Sequence, residues 1–151
     1  MVQHNLLSPN KYKVVIERFP TVDMFTQRVP LPSVTLGSSM YYTNQDTDIK
    51  LPGDKIEYED LIISLLVDKD LNGIIEILKW IQSAATSDNH MDMLSQISIQ
   101  TLTNNSNANR KITFYNCFPQ TMSNILFDVS ETEDNPPSID AIFKYSHYTI
   151  T

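Results

Sequence analysis

Residues 58–81, YEDLIISLLVDKDLNGIIEILKWI, hold the reading on which the fold turns. In the first half Leu61, Ile63, Leu65 and Val67 alternate onto one face, while Ile62 and Leu66 mark the other. A strand apolar on both faces is covered on both sides, so it is central to a sheet. The second half changes period. Leu71, Ile74, Ile75, Leu78 and Ile81 recur at helical spacing, with Ile77 and Trp80 widening the stripe. Asp68 or Asp70 stands where a helix N-terminus leaves amides unpaired, so a carboxylate there caps or charges it. The unit predicted is a central strand, a turn and a packed helix that also has surface to offer a neighbouring subunit.

Working outward, KYKVVIERF (11–19) and MFTQRV (24–29) read as strands, closed by Pro20 and by the prolines of PLPS. Extended structure resumes at Val34–Leu36. Residues 37–57 are polar and irregular and are expected to form a long loop, in which Met40, Tyr41 and Tyr42 stand together. A loop of that length is functional or disordered. Those large side chains either contact a partner or fold back over the core.

Beyond the helix, Ile97, Ile99 and Thr101 alternate, as do Ile112 and Phe114 after the turn TNNSNAN, which predicts a hairpin. Ile125, Phe127 and Val129 predict a further strand. Residues 138–150 alternate throughout and, as one ribbon, would span roughly 40 Å. The pattern is α+β, mainly β: an antiparallel sandwich or partly open barrel with one main flanking helix. Residues 1–10 are expected to be a flexible arm before a single domain, 11–151.

Composition narrows the chemistry. The 151 residues carry a net charge of −7 with only 11 Lys and Arg, unlike a protein that grips phosphates. The acidity serves solubility, or a surface that faces DNA without adhering to it. Three glycines, none in a phosphate-cradling pattern, argue against nucleotide chemistry. The single cysteine, Cys117, fits a reducing compartment, and the N-terminus lacks a signal-peptide pattern, so a cytoplasmic site of synthesis is expected. No apolar run is long enough to span a membrane.

His4, His90 and His147 lack metal-ligand spacing, and Cys117 has no base beside it in sequence. The carboxylates Glu57, Glu59, Asp60, Asp68 and Asp70, or Glu131, Glu133 and Asp134, allow a glycosidase-like pair only as any acidic chain does. No catalytic residue, cofactor or metal is expected. A monomeric barrel binding a small ligand or an oligonucleotide is the remote alternative.

The segment EYEDLIISLLVDKDLNGIIEILKWI (57–81) resembles the core of the tail-completion proteins, the tail-tube terminators of T4-like contractile-tailed phages. Glu57, Tyr58, the strand to Val67, Asp68, Leu71 and Trp80 carry the likeness. FTQRVPLPSVTLG (25–37), ITFYNCFPQTMSNILFD (112–128) and IFKYSHYTI (142–150) are similar to its flanking strands. The resemblance implies a non-enzymatic virion protein assembled in the host cytoplasm. It would form a homo-hexameric ring that ends tube growth, with DNA passing through the lumen and no membrane contact. Its partners would be the tail-tube protein and the terminator and neck proteins. Other roles in the same superfamily are the tube subunit and the baseplate-proximal initiator. On this reading the candidate contacts between subunits or rings are Met40, Tyr41, Tyr42, Asp48 and Ile49, with Ile77 and Trp80 of the helix.

Overall fold

The computed structural model describes residues 6–20, 25–41, 49–103, 105, 107–130 and 136–151. Among them are nine strands, one α-helix and a short 3-10 turn. In chain order the strands are β1 (Tyr12–Ile16), β2 (Thr26–Arg28), β3 (Val34–Tyr41), β4 (Ile49–Tyr58) and β5 (Leu61–Leu66). After helix α1 (Asn72–Thr86) come β6 (Ser95–Leu102), β7 (Ala108–Met122), β8 (Ser138–Lys144) and β9 (His147–Ile150).

Seven strands form one antiparallel sheet in the order β1-β6-β7-β8-β5-β2, with β9 also paired to β7. Strand β5 lies between β8 and β2, as its two-sided apolar pattern predicts. The core face can be followed through the register. Val14 pairs with Ile99 and Ile99 with Ile112, while Ile16 pairs with Ile97 and Ile97 with Phe114. On the other side Leu61, Ile63 and Leu65 stand opposite Phe143, Ala141 and Ile139. All of these side chains are buried. The expected architecture, a mainly antiparallel partly open barrel with one flanking helix, is the one observed.

Strand β7 joins the two halves. Residues up to Cys117 pair with β6, and residues 112–115 also pair with β9. From Phe118 to Met122 the partner is β8. At the register shift with β6, Asn116 adopts a left-handed conformation, φ 57°, which asparagine tolerates better than most residues. The bulge keeps Phe114 and Cys117 both buried although they are three residues apart.

The N-cap of helix α1 is Leu71, left-handed at φ 58° and without a side-chain cap bond, so neither expected aspartate takes that place, although Asp68 reaches the first helical amide. Oδ1 of Asp68 accepts from the Asn72 amide at 2.8 Å, and Oδ2 accepts from the Asn72 side chain at 3.0 Å. The helix continues to Thr86, beyond the Ile81 limit of the apolar stripe. Its buried face is one side of the expected stripe, with Ile74 and Ile81 also packed partly against the core. Gly73, Ile77 and Trp80 face inward, whereas Ile75 and Leu78 are each 41% exposed. Trp80 packs against Phe143 with the rings tilted, 5.7 Å between centroids, and donates its indole N–H to the Met93 carbonyl at 2.7 Å. The assignment of Ile77 and Trp80 to subunit contacts is therefore corrected: at 1% and 5% exposed, their surface is already spent on the core.

Three further expectations change. The 37–57 loop is largely strand, because β3 and β4 pair over most of their lengths. Residues 125–129 form no strand: Ile125 packs against the core, but Leu126, Phe127 and Val129 face solvent. Asp128 there accepts from the Ser130 amide at 2.9 Å, a local turn that competes with extended pairing. The last ribbon is two strands. The chain turns at 145–146, where the Ser146 amide donates to the Tyr115 carbonyl at 3.0 Å, and β9 crosses from β8 to β7.

Replacing Ile77 with Ala should cost about 2–5 kcal/mol of unfolding free energy, because it opens a cavity beneath the helix. A urea titration followed by circular dichroism measures this.

Candidate assembly surface

Strands β3 and β4 stand apart as a separate two-stranded sheet. Their register runs from Val34 opposite Tyr58 to Tyr41 opposite Ile49. Neither outer edge pairs with another strand among the described residues. Apolar side chains occur along the whole ribbon: Val34, Leu36, Met40, Tyr41, Ile49, Leu51 and Ile56 are all exposed. Consecutive residues of a strand point to opposite faces, so Met40 and Tyr41 make both faces apolar at the far end. Tyr41, 60% exposed, shares its face with its partner Ile49 and with Leu51.

An isolated hairpin is marginally stable in water, and free apolar edges invite pairing. In the described residues both faces of this ribbon carry exposed apolar side chains. Seven such side chains, each about half exposed, present on the order of 600 Å² of apolar surface. That approaches the roughly 800 Å² per partner of a standard interface.

The hairpin is also bent by design. Between Leu36 opposite Ile56 and Ser38 opposite Pro52, β3 advances two residues while β4 advances four. At this irregularity Gly37 faces Gly53 so closely that a Cβ on Gly53 would lie 2.7 Å from the Gly37 carbonyl oxygen. Two of the chain's three glycines are used here, where the backbones need the space.

Of the sequence-predicted contacts, Met40, Tyr41 and Ile49 come together at the far end of this ribbon. Tyr42 and Asp48 lie outside the described residues. The outward residues of α1, Leu71, Ile75 and Leu78, form a second exposed apolar row that the sequence reading assigned to the core. They lie within the same 3.6-residue periodicity as Ile77 and Trp80, and periodicity does not say which side of a wide stripe meets the sheet.

The groups considered for chemistry have other occupations. Burial pushes the Cys117 thiol up to about 12, and its Sγ lies 3.3 Å from the Phe114 carbonyl. A thiol held neutral is a poor nucleophile. His147 stacks on Tyr115 at 4.8 Å and meets the Ser146 hydroxyl at 2.9 Å. Asp60 pairs with Lys144 at 2.7 Å. Ser64 donates to Asp140 at 2.6 Å beside a cleft of about 1120 Å³, and among the described residues no histidine lines that cleft. No cluster of three metal-ligating side chains occurs among the described residues.

No family model and no curated protein matches the sequence. Solved structures do match over the full length of the chain. The cap of the anti-feeding prophage, a tube-terminating cap, superposes with a TM-score of 0.72 at 15% identity, covering 100% of this chain and 94% of that one. The sheath/tube terminator of an extracellular contractile injection system gives 0.71 at 15% identity, covering 100% and 99%. A chain of the anti-feeding prophage baseplate, 6-fold symmetrised, gives 0.73 at 12% identity, covering 100% and 97%. The fold is that of the tail-tube proteins. At these identities the likeness is one of architecture. The tail-tube fold therefore accounts for the barrel and its helix.

Two outcomes follow from this geometry. Gly53→Ala should loosen the hairpin without unfolding the barrel: amide protection in β3 and β4 should fall at least tenfold, with β5–β8 unchanged, by hydrogen exchange and mass spectrometry. At high pH, burial, with the neighbouring Tyr148, Tyr58, Asp60 and Cys117, pushes the Tyr145 phenol up to about 12. Tyr145 and Cys117 are thus both raised from ordinary values of 10.0 and 9.0. A raised acid holds its proton more tightly when folded, so its contribution is complete below the ordinary value and is lost as pH climbs toward about 12. Stability should decline from pH 9 upward, and Cys117→Ala should remove the earlier part of that decline in melts taken across the range.

Proposed function

We propose that the chain is a structural component of a contractile tail that acts by assembly and performs no catalysis. Identical copies close into a ring, six by analogy with the 6-fold baseplate neighbour. The ring stacks on the tail tube and ends its growth at the neck, as in T4-like phages. The observation that carries this reading is the β3–β4 hairpin, an apolar ribbon whose two edges are unpaired and whose faces are uncovered among the described residues. A closed ring removes such edges and buries such surface. Met40, Tyr41 and Ile49, with Tyr42 and Asp48 beside them in sequence, provide the contact to the adjacent subunit or ring. Large aromatic and Met side chains are common anchors of such contacts.

The likeness to a tube-terminating cap and to a sheath/tube terminator favours the capping role. The likeness to a baseplate chain and to a sheath–tube complex supports a second reading, as tube initiator or tube subunit. The net charge of −7 suits a lumen through which DNA passes without phosphate contacts.

Native mass spectrometry and electron microscopy of the purified protein, alone and with tail tubes, test the proposal. A terminator gives discrete rings of about six chain masses that bind tube ends, whereas a tube subunit gives long filaments. The double substitution Met40→Lys, Ile49→Lys should leave the monomer folded and reduce ring or tube-end association at least tenfold. Solitary chains that dock on no tube would defeat the assembly reading.

A further inference from the structure

Among the described residues, the side-chain hydrogen bonds, ion pair and ring contacts that reach the hairpin's base come from one stretch, 144–148. The Tyr145 hydroxyl donates to the Glu59 carbonyl at 2.7 Å, just past the end of β4. The Tyr148 hydroxyl donates to the Pro32 carbonyl at 3.3 Å, just before β3. Each leg of the hairpin is therefore held by one phenol. Between them lies Tyr58, whose ring meets those of Tyr145 and Tyr148 edge-on at 5.9 and 5.5 Å. The two legs are tied to each other by the Glu59 amide, which donates to the Ser33 carbonyl at 3.1 Å.

The stretch that does the holding is itself fixed to the bulge of β7. The Ser146 amide donates to the Tyr115 carbonyl, and the Asn116 side chain donates to the Ser146 hydroxyl at 3.2 Å. Phe114 packs on Tyr145 at 5.0 Å and on Tyr148 at 5.2 Å. The contacts run without a break from the buried centre of the sheet to both legs of the ribbon.

We infer that the β8–β9 corner is a positioning seat: Tyr145, Tyr148 and Tyr58 set the angle at which the hairpin leaves the barrel. A ribbon joined to the body by two peptide legs alone would sweep a wide arc, and docking would have to freeze it. Held by the seat, it meets its partner already oriented, which lowers the entropic cost of association. This role rests on the assembly reading above, whereas the seat itself is a property of the single chain. The Lys144–Asp60 pair lies at the same corner, but its side chains are 42% and 39% exposed, so solvent screening leaves it a minor part.

Nitroxide labels on Lys55→Cys in β4 and Gln96→Cys in β6, both exposed positions, report the angle as a distance distribution in double electron–electron resonance. Buried Cys117 stays in place. Measurements are made on the single chain below the concentration of ring formation. The labelled protein should show one narrow peak. Tyr145→Phe with Tyr148→Phe keeps the rings and removes both hydroxyls, and should at least double the width. Tyr58→Ala removes the central ring and should do the same, while Lys144→Ala should leave the width unchanged. Unchanged widths in both the double Phe variant and Tyr58→Ala, with circular dichroism confirming folded protein, would overturn the inference, as would equal broadening by Lys144→Ala alone. Because no ring is needed for the readout, its result stands apart from that of the assembly assay.

Discussion

The bend in β7 is the constraint on which the remaining structure depends. One strand serves β6 and β9 up to Cys117 and β8 from Phe118, so the two halves of the sheet share a backbone. The left-handed residue at the bend shifts the alternation, and both Phe114 and Cys117 reach the core. Without the bulge, every side chain after it would move to the other face. The same bend offers the carbonyl and side chain that anchor Ser146, which brings β9 alongside β7. Core, the place of β9 and the seat of the hairpin all refer back to this point.

The apolar residues divide into two groups with different physical roles. Those of the barrel and the inner face of α1 are almost wholly buried, and the single chain satisfies them. Those of β3 and β4 remain in water, together with Leu71, Ile75 and Leu78 on the helix. Single exposed apolar residues are ordinary, but a two-faced ribbon with open edges is not. Among the described residues, Asp68 serves the start of the helix, Asp60 pairs with Lys144, and His147 stacks on Tyr115.

Much of the architecture was legible from local pattern. The two-sided apolar strand at 61–66, the carboxylate of Asp68 at the helix start and the β6–β7 hairpin follow from period, burial and turn chemistry within short windows. The candidate surface was legible in part. Met40, Tyr41 and Ile49 were conspicuous as large side chains in a polar stretch, yet the stretch did not read as strand. A ribbon exposed on both faces has no reason to alternate, and Gly37, Pro52 and Gly53 break what pattern remains. Residues 125–129 fail in the opposite direction. They alternate well, but β7 has already taken the place beside β8, and a local turn at Asp128 is the alternative.

By itself, the sequence determined the class of fold and the element types of the 61–86 unit and of the β6–β7 hairpin, because hydrophobic period and turn chemistry are properties of near neighbours in the chain. Tertiary structure alone decided which side of the wide helical stripe faces inward, placing Ile77 and Trp80 inside and Ile75 and Leu78 outside. It also decided that the final ribbon would break at Ser146 and that the hairpin would stand clear of the barrel. Those outcomes depend on which distant surfaces compete for the same space, and that competition is settled only when the whole core packs at once.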